Sequence, residues 1–276
     1  MTRIFGHDTA IDSFLRAMRG PRLHHGWLLT GPEGVGKAST AMALATRMLA
    51  EAAGPQPDGD GIGVSPDHPM ARLIAAHSHP DLKRLERLPK DVKIQEKGRA
   101  EWGEETELAR SITVDQIRVL GASFATVPSM SRRRVVIIDA VDDLERAGAN
   151  ALLKNLEEPP AGTIFLLVSH APGRLLPTIR SRCRVLRFAT LDDGAMTSVL
   201  NANLPEIDPE ERDALIQAGQ GSPGRALHYA GLDIGWIDSI LAQLLRDGDA
   251  SNALRVALAA KLAPKAAQAR YEVFLQ

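Results

Sequence analysis

The stretch Trp27-Leu28-Leu29-Thr30-Gly31-Pro32-Glu33-Gly34-Val35-Gly36-Lys37 constrains this chain more than any other. Trp27, Leu28 and Leu29 form an apolar run too short for a helix, so it is expected to be a buried strand. Gly31, Gly34, Gly36 and Lys37 fit the spacing G-x-x-x-x-G-K, and an Ala/Leu/Met-rich helix is expected from Lys37 to about Ala52. Glycines at this spacing let backbone N–H groups approach phosphate, the helix start adds positive potential, and lysine reaches the β/γ phosphates. The chain is therefore expected to be α/β with a phosphate-cradling loop. The next position departs from the pattern. It calls for Ser or Thr, whose hydroxyl would hold Mg²⁺, and this chain has Ala38. Ser39 comes one residue late, about 100° around the helix, and does not simply replace it.

A second element bears on the same chemistry. Val135-Val136-Ile137-Ile138 is a β-branched run ending in Asp139, the pattern of a buried parallel strand with an acid at its tip. An acid at the following position would polarise the attacking water, but Ala140 stands there, with Asp142 and Asp143 further along. A missing general base costs about 10²–10⁴-fold. Two losses at the two places that hydrolysis needs most are expected to leave a site that hydrolyses ATP poorly or not at all. The alternative is an active enzyme using Ser39 and Asp142 in unusual geometry.

Further strands are expected over Asp81–Leu88, Thr163–Ser169 and Val185–Phe188, and helices over Ile11–Met18, Ile112–Phe124, Asn150–Glu158 and Leu175–Arg182. Gly54–Pro69 looks like a flexible insert, and Pro89–Glu107 like a charged surface excursion. Beyond about Thr190 strand signals stop. Asp208-Pro209 and Ser222-Pro223 open helices as cap and first-turn proline. The formal charge of −1, from 33 basic and 34 acidic side chains in 276 residues, argues against a dedicated nucleic-acid binder. A single cysteine, Cys183, excludes an internal disulfide and a cysteine-cluster zinc site and fits a reducing cytoplasm. No signal peptide or membrane span is read in the sequence. His68, His77, His79 and Asp81 are read as a loop entering a strand rather than a metal site, and Arg132-Arg133-Arg134 as a solvated strand entry.

Asp139, then Asn150-Ala151-Leu152-Leu153-Lys154, Leu156-Glu157-Glu158-Pro159-Pro160, Phe165-Leu166-Leu167-Val168 and Thr178-Ile179-Arg180-Ser181-Arg182-Cys183 occur in an order that resembles the bacterial clamp-loader AAA+ subunits of DNA polymerase III. The resemblance covers roughly residues 1–230. It implies a P-loop AAA+ parallel-sheet core over 1–190, a small helical lid over 191–231 and the start of an all-α collar over 232–276, which ends mid-pattern and is expected to be truncated. The degenerate nucleotide site directs the resemblance to a non-hydrolysing ring member rather than an ATP-hydrolysing tau/gamma-like motor, which stays the alternative. Ser181-Arg182-Cys183 resembles the family's SRC motif, which implies that Arg182 is an arginine finger for a neighbour's ATP site. Ser169 and Arg225 stand at the family's sensor positions, with strand end and helix start as their structural alternatives. The family's four-cysteine zinc module is missing, so no zinc is expected. No cofactor is required by this reading; ATP or ADP binding stays open. The implied partners are tau/gamma and delta subunits in a ring and, through the assembly, the sliding clamp and primer-template DNA, with no membrane.

Overall fold

The computed structural model describes residues 3–103, 106–264 and 270–271. The chain divides into two compact units, Met1–Pro32 with Lys37–Ala189, and Glu33–Gly36 with Thr190–Gln276.

The first unit runs α1 (Asp8–Arg19), β1 (Gly26–Thr30), α2 (Lys37–Ala52), α3 (Pro69–Ala75), β2 (Leu82–Glu86), α4 (Val92–Lys97), α5 (Val114–Ser123), β3 (Arg134–Asp139), α6 (Arg146–Glu157), β4 (Thr163–Ser169), α7 (Pro177–Ser181) and β5 (Arg184–Arg187). Its strands form one parallel sheet in the order β2-β3-β4-β1-β5. Helices cover both faces of a parallel sheet, so its inner strands read as continuous apolar runs. Every residue of β1 and β4 is buried accordingly. Alternate residues Val136, Ile138, Phe165 and Leu167 pack on one face with Ile117, Leu152, Leu156 and Ile179 from α5, α6 and α7. Helix α2 packs on β1, β3 and β4. The edge strand β5 has only Leu186 buried.

Two segments differ from expectation. The Gly54–Pro69 stretch is tethered: Arg47 of α2 is buried and donates to the carbonyls of Asp58, Gly59 and Gly63. His68 accepts from Met70 N and starts α3, a helix hidden in the sequence by its Gly/Pro-rich flank. Arg134 is no solvated strand entry. It is buried, donates to Ser123 O and Thr126 O at 3.0 and 2.9 Å, and lies over the Phe124 ring.

Asp81 has its own structural task. Its carboxylate is 0% exposed and accepts from the backbone N–H groups of Ser129, Met130 and Ser131, fixing the turn that feeds β3. Buried donors left without an acceptor are costly. Asp81→Asn is therefore expected to destabilise the chain by ~2–3 kcal/mol, read as a lower urea midpoint at unchanged slope.

The second unit is helical: α8 (Asp193–Asn203), α9 (Pro209–Gly219), α10 (Pro223–Tyr229), α11 (Ile234–Asp247) and α12 (Ala253–Leu262). Helices α8, α9 and α10 pack on one another, α11 joins α9, and α12 joins α11. Ile237, Leu258 and Leu262 form a small apolar cluster. The expected last helix near Lys265–Gln276 lies outside the described residues except for positions 270–271, which are helical.

Candidate functional site

Parallel strands deliver their C-terminal ends to one edge of the sheet, where open α/β folds place their ligand sites. Here β1 ends at Thr30, β3 at Asp139 and β4 at Ser169. The register pairs Thr30 with Ser169 and Asp139 with Val168, so Asp139, Ser169 and the start of the glycine loop share that edge.

Gly31 leaves β1 with a positive φ of 154°. A Cβ here would stand 2.1 Å from Phe188 O, just beyond β5. Packing therefore demands this glycine whatever the loop binds. Gly36 also has positive φ, but nothing lies near a Cβ there. Lys37 is buried and its ammonium turns back under the loop, donating to Gly31 O at 2.6 Å and to Pro32 O. Ala38 and Ser39 on the first turn of α2 line a cavity of about 340 Å³ together with Met42, His77 and Arg84.

Glu33–Gly36 belong to the helical unit, and their partners there are specific. Ser222 Oγ donates to Glu33 O at 2.9 Å, and Gly224 N donates to Gly34 O at 2.8 Å. Ser222 is buried and also caps α10, accepting from Arg225 N. Arg225 is exposed on the first turn of that helix.

Asp139 is held by a cation from its own fold. Arg84 on β2 reaches Asp139 Oδ2 at 3.2 Å and Glu86 Oε2 at 3.0 Å, and Glu86 in turn pairs with Arg99 at 2.8 Å. Ala140 is buried and supplies no functional group. Asp142 accepts from Ser169 Oγ at 2.8 Å and from the N–H groups of His170 and Ala171. Both of its oxygens are therefore engaged in tying the turn after β3 to the end of β4. Ser169 is fully buried. Asp143 pairs with Arg87 at 3.1 Å.

Arg182 sits elsewhere. It follows α7 and precedes β5, so it lies at the edge where the parallel strands begin. The length of β1, ~13 Å at ~3.3 Å per residue, separates that edge from the glycine loop. Arg182 Nη2 pairs with Glu157 Oε1 at 2.8 Å, and Nη1 donates to Thr178 O at 3.0 Å. The pair also places a cation beside an acid at the C-terminal end of α6, where the helix dipole disfavours negative charge. Cys183, next in line, is half-buried, and burial pushes its thiol up to about 12, so it is protonated at neutral pH.

His68, His79 and Asp81 make structural contacts. His68 Nε2 bonds Pro55 O, and Asp81 N donates to His79 Nδ1. Burial holds the His79 pKa below the usual histidine value. Among the described residues no cluster of three or more His, Cys, Asp or Glu is placed to hold a metal. No described helix is long and apolar enough to cross a membrane.

The roles of Arg84 and of Asp142 as acceptor for the end of β4 are not evident in the sequence. Arg84 lies in Leu82-Lys83-Arg84-Leu85-Glu86, where the apolar residues are three apart and no period of two marks a charged face; Arg84 and Glu86 share a face only because the segment is a strand.

Residues 6–192 match the family model described as DNA polymerase III, delta subunit. The chain is 34% identical to the DNA polymerase III subunit delta' of Pseudomonas aeruginosa over 75% of its own length and 57% of that protein's. It is 31% identical to subunit delta' of Escherichia coli, over 78% of this chain and 57% of that one. It is also 32% identical to subunit gamma/tau of Mycobacterium tuberculosis, over 80% of this chain and 34% of that one. The chain thus spans a third to a little over half the length of these relatives. With the greater part of its residues matched by the model, the chain belongs to the DNA polymerase III delta-subunit family, alongside relatives named delta'.

Proposed function

We propose that this chain is the non-hydrolysing, stationary member of a clamp-loader ring, and that Arg182 acts in trans on the ATP site of a neighbouring tau/gamma-type subunit. The observation that carries this reading is the position of Arg182 at the sheet edge opposite its own glycine loop. From there the guanidinium cannot serve the loop of its own chain. It does lie near the surface, 35% exposed, and among the described residues one carboxylate pair and one carbonyl bond hold it. A planar, permanently charged fork suits the γ-phosphate, whose charge it stabilises as the bond to the leaving group loosens. Reaching a neighbour's phosphate would require Arg182 to exchange Glu157 for that phosphate.

The chain's own site supports a passive role. Ala38 removes the hydroxyl and Ala140 the water-polarising acid, and Asp142, the nearest substitute, is committed to three donors. Gly31, Gly34, Gly36 and Lys37 retain the spacing of a phosphate loop, so nucleotide binding without turnover is compatible with the reading, and no cofactor or zinc is required by it. The partners are tau/gamma and delta subunits, with the sliding clamp and primer-template DNA reached through the assembly in the cytoplasm. The isolated chain is expected to hydrolyse ATP at background rate, since loss of a general base alone removes about 10²–10⁴-fold. A phosphate-release assay on the purified chain measures this. Turnover abolished by Lys37→Ala would instead establish the motor reading.

A further inference from the structure

Phosphate loops of this kind ordinarily hold a divalent cation between a Ser/Thr hydroxyl at the start of the helix and an aspartate at the end of a neighbouring strand. The residues here do not fit that ion. Ala38 offers no oxygen, and Ser39 lies about 100° further round α2 and is exposed. The remaining ligand, Asp139, is already paired with Arg84. We infer that Arg84 is the resident cation of this site and excludes a divalent metal from Asp139.

The charges around it close without an added ion. Two carboxylates, Asp139 and Glu86, face each other across the β2–β3 register. Two guanidiniums, Arg84 and Arg99, serve them in one chain of contacts at 2.8–3.2 Å. A metal approaching Asp139 meets a fixed positive charge within a few ångströms and would have to displace it. Arg84 also lines the cavity to which Ala38 and Ser39 contribute. The positive charge that a metal would present to Asp139 is thus supplied by a side chain of the fold. Arginine suits this task because its guanidinium stays charged and can address two carboxylates at once.

Direct titration of the full chain with Mn²⁺ alone, following free Mn²⁺ by electron paramagnetic resonance, tests this without reading hydrolysis or assembly, so it is independent of the trans role of Arg182. The wild-type chain is expected to bind no Mn²⁺ that Asp139→Asn abolishes. Arg84→Met, which keeps an unbranched stem against the cavity, is expected to gain one Mn²⁺ site at least ~tenfold tighter than anything in the wild type, because removing a like charge at a few ångströms is worth more than a decade in affinity. That site should vanish in Arg84→Met/Asp139→Asn, and Arg84→Lys, which retains a cation, should not gain it. A wild-type Mn²⁺ site lost in Asp139→Asn would overturn the inference. So would an Arg84→Met chain that melts like wild type and gains no site. Should Arg84→Met fail to fold, the comparison of wild type with Asp139→Asn still decides.

Discussion

Replacing Arg182 by alanine in a reconstituted loader is expected to slow ATP hydrolysis at the site it faces by about 10³-fold or more, the usual worth of an arginine finger. The chain itself should stay folded. Arg182 is 35% exposed and Glu157 48%, and exposed pairs of this kind contribute ~0–1 kcal/mol. Losing the cation leaves Glu157 at the unfavourable end of α6, which costs a further few tenths of a kcal/mol, toward the low end for a dipole contact. The melting temperature of the mutant chain should therefore move by only a few degrees. The combination is diagnostic: a large kinetic loss in the assembly, with little change in the chain that carries the mutation. Arg182→Lys should recover little, because a point charge does not reproduce the fork. The measurement is DNA-stimulated phosphate release with the mutant chain as the only altered subunit.

The largest expected loss of stability comes from the glycine loop. Gly31→Ala places a methyl group 2.1 Å from the carbonyl oxygen of Phe188, a backbone atom held by the bond from Phe188 N to Thr30 O. Neither side can yield cheaply. Overpacking costs about 1–3 kcal/mol and the positive φ of 154° adds of order 1–3 kcal/mol for a non-glycine residue. A total of ~3–5 kcal/mol follows, enough to unfold a marginal chain. Gly36→Ala is the control. It shares the sign of φ, at 102°, but a Cβ there meets nothing. Only the conformational cost of ~1–3 kcal/mol applies. Urea midpoints of the two variants separate packing from loop conformation. Equal losses would mean that the close approach of Phe188 relaxes freely.

The sheet could be read from the sequence because each inner strand is buried on both faces, which leaves an unbroken apolar run such as Val135–Ile138 or Ile164–Val168. The glycine loop was legible for a related reason: its spacing is local. What remained hidden depends on partners distant in sequence. Arg84 meets Asp139 across 55 residues, and Asp142 meets Ser169 across 27. No periodicity announces such pairs. Glu157, an acid at the unfavourable end of α6, meets its cation Arg182 only 25 residues further along the chain. Helix α8 falls inside the stretch expected to be a helical lid, but its own bounds were not legible: it has no first-turn proline, and its buried face, Met196, Val199 and Leu200, is a short stripe capped by Asp192 through Ala195 N. Arg134 misled in the opposite direction. Three consecutive arginines suggest a solvated surface, but the third packs its guanidinium on Phe124 and on two carbonyls in the interior.

The central claim is that this chain lends an arginine to another subunit's chemistry and performs none in its own site. The most direct measurement is steady-state ATP hydrolysis by the DNA-bound loader assembled with this chain as wild type, Arg182→Ala or Lys37→Ala. The expected result is a marked loss with Arg182→Ala and a wild-type rate with Lys37→Ala. A wild-type rate with Arg182→Ala, or a loss with Lys37→Ala in a loader that still assembles, would contradict it.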